Sequence, residues 1–308
     1  MGKKLRIQLA TTYLVALICA GLASNSLAVC REEGVDLQIL GSGGPLGRGN
    51  RASSGYLLWI NGEARVMVDA GGGTFLRFHE AGATVETMDL LAISHLHPDH
   101  AAEIPALYWV HGFTTPIAGP SGSDQLPSIT EFMQSLFQSD DAAFRVLETL
   151  RDTEVIEIDA SGEFESVVLE TNDYVIRAIG VPHGEVPALG FRIDIDDRSI
   201  AFASDQTGTN ANFTQLIEDV DVLVAHLTIP ETVQGRPAML HARPSVWGAM
   251  AEEAKVSQLV LSHLGAILQG NREDPDNPAS VLGPNWEVLR ANYSGDITVG
   301  EDLLCVPL

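Results

Sequence analysis

Positively charged residues are scarce in this sequence of 308 residues. Lysine and arginine number 18 against 41 aspartate and glutamate residues, which gives a formal net charge of −23. After residue 28 the only lysine is Lys255. A polyanion would find no basic run to bind, so this balance predicts a protein that has no nucleic acid as partner or substrate.

Long apolar runs are also missing, apart from one at the N-terminus. There, two lysines and an arginine precede about fifteen apolar residues, the usual length of a signal-peptide core. Small residues then lead to Ala28, where an A-x-A-like site predicts cleavage. A membrane anchor is the alternative, but the run is short for a bilayer span. We expect residues 1–28 to be a signal peptide, and residues 29–308 to be periplasmic or secreted without stable membrane association.

Cysteine is rare as well, with three residues in the whole chain. Cys19 belongs to the predicted signal peptide, so the mature chain keeps Cys30 and Cys305, one near each end. In an oxidising compartment such a pair more often forms a disulfide than two free thiols. Metal ligation is a poor alternative, because neither cysteine lies near a histidine in the sequence. We expect a Cys30–Cys305 bridge that ties the two ends together.

A linker rich in serine, proline or glycine is absent too, so residues 29–308 are predicted to form one domain. Candidate strands come first as hairpins and later alternate with candidate helices. This order predicts an α/β protein with two sheets face to face and helices outside, a four-layer α/β/β/α sandwich. The predicted strands are VDLQIL (35–40), SGYLLWI (54–60), ARVMVDA (64–70), LLAIS (90–94), YVIRAIGV (174–181), SIAFAS (199–204), DVLVAH (221–226) and QLVLSH (258–263).

Histidine, by contrast, is concentrated: three of the nine histidines fall in Ser94–His100, which reads SHLHPDH. Imidazole is the commonest ligand for zinc-like metals at neutral pH, and a carboxylate adds an oxygen donor. Other predicted strands run into His183, Asp205, His226 and His263. Function in α/β sheets collects at the carboxyl ends of strands. One strand-end histidine is more often structural, but four such residues together with the cluster indicate a site for two metal ions.

An H-x-H-x-D-H signature followed by a distant His, Asp and His at strand ends resembles the metallo-β-lactamase fold. Within that superfamily the chain resembles the branch of ribonuclease Z, class II cyclic-nucleotide phosphodiesterases and bacterial arylsulfatases. It looks closest to the exported arylsulfatases. The stretches that carry the resemblance are LQILGSGGPLGRGNRASSGYLLW, VDAGGGT, VPHGEVPALGFRI, FASDQTGTN, LHARPS and LVLSHL.

The resemblance implies a dinuclear metal site. One ion would be held by His95, His97 and His183, the other by Asp99, His100 and His263, and Asp205 would bridge both. Two zinc ions are the default for such ligands, and manganese or iron is also compatible. A hydroxide between the ions would be the nucleophile, because metals lower the pKa of bound water to about 7. Asp99, as a ligand of one of these ions, is also a candidate catalytic residue.

Three further residues receive roles from the resemblance. His241, in LHARPS, matches a histidine that transfers a proton in ribonuclease Z and is the candidate general acid. His226 matches a second histidine of that relay, but Leu227 stands where its glutamate partner would be, so the relay is incomplete. His226 is a candidate substrate contact, with a buried strand-end histidine as an equal alternative. Arg243 is a candidate donor to a substrate oxyanion, with a surface salt bridge as its alternative.

The reaction that the closest resemblance implies is hydrolysis of an aryl sulfate ester to a phenol and sulfate. Hydrolysis of cyclic nucleotides or small phosphodiesters is the alternative, since phosphoryl and sulfuryl transfer require similar charge stabilisation. A protein that binds metal without turnover is disfavoured by the complete ligand set. The expected partner is a small-molecule sulfate or phosphate ester, and oligomer formation is left open. An insertion at residues 119–150 is expected to form a helical cover over the site.

Overall fold

The computed structural model of this protein describes Cys30 and residues 33–47, 50–111, 115–147, 153–265 and 278–308. The predicted signal peptide, residues 1–28, lies outside the described residues. Within the described ranges, no helix is both long enough and apolar enough to cross a membrane.

Strands of the described chain form two sheets of seven strands each. They are β1 (Val35–Gly41), β2 (Gly55–Ile60), β3 (Glu63–Val68), β4 (Leu90–Ala92), β5 (Ile117–Pro120), β6 (Val155–Ile158), β7 (Ser166–Glu170), β8 (Tyr174–His183), β9 (Val186–Ile195), β10 (Arg198–Phe202), β11 (Val222–His226), β12 (Gln258–Ser262), β13 (Asp296–Val299) and β14 (Cys305–Pro307). The orders are β14-β1-β2-β3-β4-β5-β6 and β13-β12-β11-β10-β9-β8-β7. Strands β3 to β6 pair in parallel, as do β10 to β13. Residues that follow parallel strands therefore collect at one edge of each sheet.

Helices cover the outer faces of both sheets. They are α1 (Thr74–Glu80), α2 (Pro98–Ala101), α3 (Ile104–His111), α4 (Ile129–Met133), α5 (Ala211–Leu216), α6 (Pro244–Glu253), α7 (Pro278–Leu282) and α8 (Pro284–Asn292). Buried Tyr108 of α3 packs with residues of the first sheet, and Trp247 of α6 packs with residues of the second. Between the sheets lies a third cluster that includes Phe191. The predicted four-layer α/β/β/α sandwich is confirmed.

Several strands are buried on both faces, because their side chains alternate between two of these clusters. In β3, Val66 and Val68 lie in the cluster between the sheets, whereas Met67 packs with the helices. In β12, Val260 lies between the sheets and Leu259 faces the helices. Neighbouring strand residues point to opposite faces, so burial of both faces produces an unbroken apolar run. This is why these strands can be recognised in the sequence.

The two cysteines predicted to pair are joined in the structure. Cys30 and Cys305 form a disulfide, and their Cα atoms lie 5.6 Å apart. Cys305 begins β14, which pairs antiparallel with β1 at the edge of the first sheet. The bridge therefore fastens the start of the described chain to its last strand.

Candidate metal centre

The SHLHPDH stretch leaves β4 and turns into α2. The strand ends at Ala92, before the end of the predicted LLAIS segment, and the amide of Ser94 donates to Oδ1 of Asp69 across 2.7 Å. His97 has extended backbone angles and precedes Pro98, the first residue of α2. Proline is favoured at this position, since its fixed φ suits the first helical turn. Two histidines therefore stay on the loop, while the aspartate and the third histidine enter the helix.

Three histidines form a first group, in which one ring nitrogen of each lies within 4.8 Å of the others. Nε2 of His95 is 3.0 Å from Nδ1 of His97. His183, the last residue of β8, donates from Nδ1 to the carbonyl oxygen of Leu240 across 2.9 Å. Its Nε2 is buried and has no hydrogen-bond partner. An orphaned nitrogen facing two other imidazoles is the arrangement that a cation would satisfy.

A second group lies beside the first and contains His100, His263 and Asp99. Nε2 of His100 is 3.1 Å from Nε2 of His263, and Oδ2 of Asp99 is 3.2 Å from the same His263 nitrogen. Nδ1 of His263 lies 3.0 Å from the hydroxyl of Thr228, which orients the ring. These are the three residues that the resemblance assigned to the second ion, and the structure brings them together.

Asp205 lies between the two groups. Its Oδ2 atom is 3.9 Å from Nε2 of His100 and 3.9 Å from Nε2 of His183. Its Oδ1 atom is 3.5 Å from Nε2 of His263. A carboxylate placed between the two sets of imidazoles has the position that a bridging ligand requires.

His226, a predicted substrate contact with a buried strand-end histidine as the alternative, is buried beside Asp205, and its contact with substrate stays a prediction. The side chain is 2% exposed. Nδ1 lies 2.9 Å from Oδ1 of Asp205, and Nε2 lies 3.0 Å from the hydroxyl of Tyr56. Although one nitrogen of His226 is close enough to join a metal-binding group with Asp205, both ring nitrogens already have partners. The ring therefore holds the carboxylate of Asp205 in position through this contact, as a buried strand-end histidine can.

Asp69, which the sequence placed only within the predicted strand ARVMVDA (64–70), lies against the second group of histidines. Its Oδ2 atom lies 2.7 Å from Nδ1 of His100 and accepts from the hydroxyl of Ser94 across 2.9 Å. The carboxylate is 1% exposed. A buried carboxylate on the far nitrogen of a ligand histidine fixes the tautomer and turns the other nitrogen toward the metal. The signal was present, because Asp69 follows strand β3 as the other site residues follow theirs.

The backbone around the centre is strained at three residues. Asp69, Ser204 and His263 have φ values of 61°, 60° and 51°, in the left-handed region that non-glycine residues rarely occupy. Such strain collects at functional sites, where surrounding contacts impose it. Gly44 explains part of the glycine-rich stretch after β1: a Cβ there would lie 2.9 Å from Cε1 of His263. Only glycine lets the loop approach this ring.

The electrostatics of the centre favour cations. Burial opposes ionisation of Asp205, yet the surrounding histidines, His263 foremost, hold its pKa well below the ordinary value. Burial lowers the pKa of His95, so this ring is neutral at pH 7. Burial also acts to lower the pKa of His100, but the nearby carboxylates, Asp69 foremost, outweigh it and raise that pKa to about 9. His100 is therefore protonated at pH 7 in the free protein, and a cation that binds its Nε2 displaces that proton. These nitrogen and oxygen donors fit divalent ions such as zinc.

His241 lies beside Asp205, whereas the described contact of Arg243 is with a backbone carbonyl. Nδ1 of His241 is buried without a hydrogen-bond partner and lies 3.6 Å from Oδ2 of Asp205. Burial lowers the pKa of His241 to about 4. Arg243 precedes α6, and its Nη2 donates to the carbonyl oxygen of Val233 across 3.0 Å. His241 is thus placed at the centre, whereas the role of Arg243 toward substrate stays a prediction.

Comparison with known sequences identifies the family of this chain. The sequence profile of the "Beta-lactamase superfamily domain" matches residues 64–264. A protein of Mycobacterium avium named "Ribonuclease Z" is 26% identical over 286 residues, which cover 87% of this chain and 96% of that protein. A protein of Mycobacterium bovis with the same name is 27% identical over 287 residues, again 87% of this chain and 96% of its own length.

Solved structures share the fold. The metallo-β-lactamase fold protein YhfI from Bacillus subtilis has a TM-score of 0.67 and 20% identity, covering 88% of this chain and 98% of its own. The short form of human tRNase Z has a TM-score of 0.66 and 18% identity with the same coverage. At these identities the likeness shows the fold alone.

Two predictions are wrong in the light of the relatives. The relatives are named ribonuclease Z, which contradicts hydrolysis of an aryl sulfate. The same names contradict the exclusion of nucleic acid as a partner. The net charge of −23 misled because it belongs to the whole chain, whereas hydrolysis of a nucleic acid depends on a few residues at one site.

Proposed function

Because this chain belongs to the beta-lactamase superfamily, we propose that its metal centre hydrolyses phosphodiester bonds of ribonucleotides. The position of Asp205 between the two groups of histidines carries this proposal, since phosphodiester hydrolysis is well served by two adjacent cations. The names of the mycobacterial relatives support RNA as the substrate class.

Two zinc ions are the proposed cofactors, with manganese or iron as alternatives. The proposed ligands are His95, His97 and His183 for one ion, Asp99, His100 and His263 for the other, and Asp205 for both. Bound ions supply Lewis acidity and lower the pKa of water. The chain itself orients the ligands, through Asp69 on His100, Leu240 on His183 and Thr228 on His263.

His241 is the proposed proton donor to the departing oxygen. In the free protein its low pKa leaves the ring neutral near pH 7. A phosphodiester anion bound beside the ring favours the protonated form, because an opposite charge nearby raises the pKa of a histidine. Nδ1 of His241 is buried without a hydrogen-bond partner 3.6 Å from Oδ2 of Asp205, which puts the ring beside the proposed bridging ligand.

The test is an assay of zinc-loaded protein on three substrates: a short single-stranded RNA, bis(4-nitrophenyl) phosphate and 4-nitrophenyl sulfate. We expect cleavage of the RNA and the diester, with the sulfate ester turned over far more slowly. Substitution Asp205→Asn should abolish cleavage. Asp89→Asn should retain it, because Asp89 is a half-buried carboxylate that bonds to Arg65. Metal retention without cleavage of either phosphodiester would overturn the proposal.

A further inference from the structure

An apolar pocket of about 200 Å³ opens directly beside the first group of histidines. Apart from His97, every residue that lines it is apolar: Leu96, Pro120, Leu126, Pro127, Phe132, Val186 and Pro187. The volume suits a single ring system, being below the size of ordinary ligand pockets. One wall of this pocket, hereafter the His97 pocket, is thus a candidate metal ligand.

The walls of the His97 pocket are held in place. Helix α4, which carries Phe132, begins with a capping box in which Ser128 and Glu131 bond to each other's backbone amides. Its buried Ile129 packs so closely on β5 that a Cβ at Gly119 would lie 2.8 Å away. Helix α4 within the predicted cover therefore contributes a wall beside the centre, whereas residues 148–150 of that cover lie outside the described residues.

The opposite wall comes from the start of β9, with Val186 and Pro187. Strand β9 is hydrogen-bonded to the SHLHPDH stretch, because the amide of Leu189 donates to the carbonyl oxygen of Ser94 across 2.9 Å. The two walls and His97 therefore have fixed relative positions, as a binding pocket requires.

His183, which belongs to the same group of histidines as His97, lines a larger and more acidic cleft. A cleft of about 700 Å³ lies there, and its lining includes the acidic residues Asp159, Glu163 and Glu185. Phosphate groups of a substrate backbone would be repelled by these carboxylates. Recognition through several phosphate contacts is thus disfavoured on that side, and affinity has to come from another part of the substrate.

We propose that the His97 pocket binds the nucleobase adjacent to the scissile phosphate. The inference rests on the proposed function and specifies how that site holds its substrate. Bases bind to proteins through apolar contact and stacking on aromatic rings, and Phe132 is the aromatic ring among the lining residues. Base stacking is also independent of positive charge, in which this chain is poor, with 18 lysine and arginine residues against 41 aspartate and glutamate residues. A base in the pocket places the neighbouring phosphate beside His97.

The test compares the ribodinucleotide UpU with two analogues, each lacking one of its two bases. Removing a base leaves the phosphodiester in place. For zinc-loaded wild-type protein, loss of one particular base should lower kcat/KM by about 5- to 150-fold, the range expected from stacking of one base. Loss of the other base should have a smaller effect.

Two pocket variants and one control complete the experiment. Phe132→Ala removes the ring and Val186→Phe fills the pocket without removing core contacts, so both should cleave UpU and its abasic analogues with similar kcat/KM. Phe164→Ala, a phenylalanine that is 73% exposed, should keep the wild-type preference. Circular dichroism checks that each variant is folded.

The outcomes separate the pocket from the proposed function. Cleavage of all three substrates with equal kcat/KM by wild-type protein would overturn the base pocket and leave phosphodiester hydrolysis standing. A preference that survives in Val186→Phe would also overturn the pocket. If none of the three substrates is cleaved, the RNA and bis(4-nitrophenyl) phosphate assays decide the proposed function, and saturation-transfer NMR with uridine decides the pocket alone. We expect binding to wild-type and Phe164→Ala proteins but not to Val186→Phe; no binding to wild type would overturn it.

Discussion

Nδ1 of His226 donates to Oδ1 of Asp205 across 2.9 Å, beneath the centre of the site. Because a carboxylate can only accept, this nitrogen carries the ring's proton, and Nε2 accepts from the hydroxyl of Tyr56 at 3.0 Å. All three side chains are buried. A buried chain of Tyr56, His226 and Asp205 therefore fixes the carboxylate that is proposed to bridge the ions.

Removing the end of this chain should weaken metal binding. Tyr56→Phe leaves Nε2 of His226 buried without a donor, which should lower the free energy of unfolding by about 1–3 kcal/mol. The matched control is Tyr108→Phe, another fully buried tyrosine, whose hydroxyl donates to the carbonyl oxygen of Thr115. Both variants should lose stability in urea unfolding, but only Tyr56→Phe should lose zinc affinity. Equal zinc affinity in both would show that the chain does not position Asp205.

Asp69 should matter for metal affinity although it is not a proposed ligand. Asp69→Asn removes a carboxylate from His100 and should weaken zinc binding by about 10- to 100-fold, as loss of such supporting carboxylates does in other metal sites. Competition with a chromogenic chelator measures this. Asp89→Asn is the control, since Asp89 bonds to Arg65 and Tyr174 instead. Unchanged zinc affinity in Asp69→Asn would remove Asp69 from the account.

Much of this centre could be predicted because strands end on its residues. A buried strand is an apolar run, so a histidine or aspartate that terminates it is conspicuous, as with His95 after β4 and His263 after β12. Parallel pairing then aligns these ends, for example His226 beside Ser262. The four-layer sandwich was predicted from the same apolar runs. Strand β9 was missed, although it pairs with β8 over its length, because residues such as Arg192 and Asp194 interrupt its apolar pattern.

The supporting residues could not be predicted, because their partners are distant in the sequence. Tyr56 lies 170 residues from His226 and reads as an ordinary strand residue. Asp69 did carry the strand-end signal, but it was assigned to the predicted strand ARVMVDA (64–70) and to no site. The His97 pocket joins residues near 126 to residues near 186, and no local pattern links them. Only the packed fold brings these positions together.

His241 should affect the reaction without affecting the metal. Because a general acid helps most when the leaving group is poor, His241→Ala should lose about 10²- to 10⁴-fold in rate on RNA and less on bis(4-nitrophenyl) phosphate. His79→Ala, an exposed histidine with no assigned role, is the control. The measurement is the dependence of kcat on leaving-group pKa, with zinc content determined in parallel. An unchanged dependence would exclude His241 as the acid, and lost zinc would make it a ligand.

The Cys30–Cys305 bridge should contribute to stability. It closes a loop with a sequence separation of 275 residues, and breaking such a link typically lowers the free energy of unfolding by about 2–4 kcal/mol. Cys305→Ser and reduced wild-type protein should therefore unfold at lower urea concentration than oxidised wild type. Identical unfolding of oxidised and reduced protein would show that the bridge is not formed in solution or has no effect on stability.

Zinc stoichiometry tests the dinuclear centre most directly. Wild-type protein, loaded with zinc and freed of excess metal, should contain two zinc ions per chain by elemental analysis and should cleave bis(4-nitrophenyl) phosphate. Asp205→Ala should hold at most one ion and lose cleavage, because the carboxylate lies 3.9 Å from a histidine of each group. One zinc ion in the active wild-type protein, or two zinc ions and full activity in Asp205→Ala, would contradict the account.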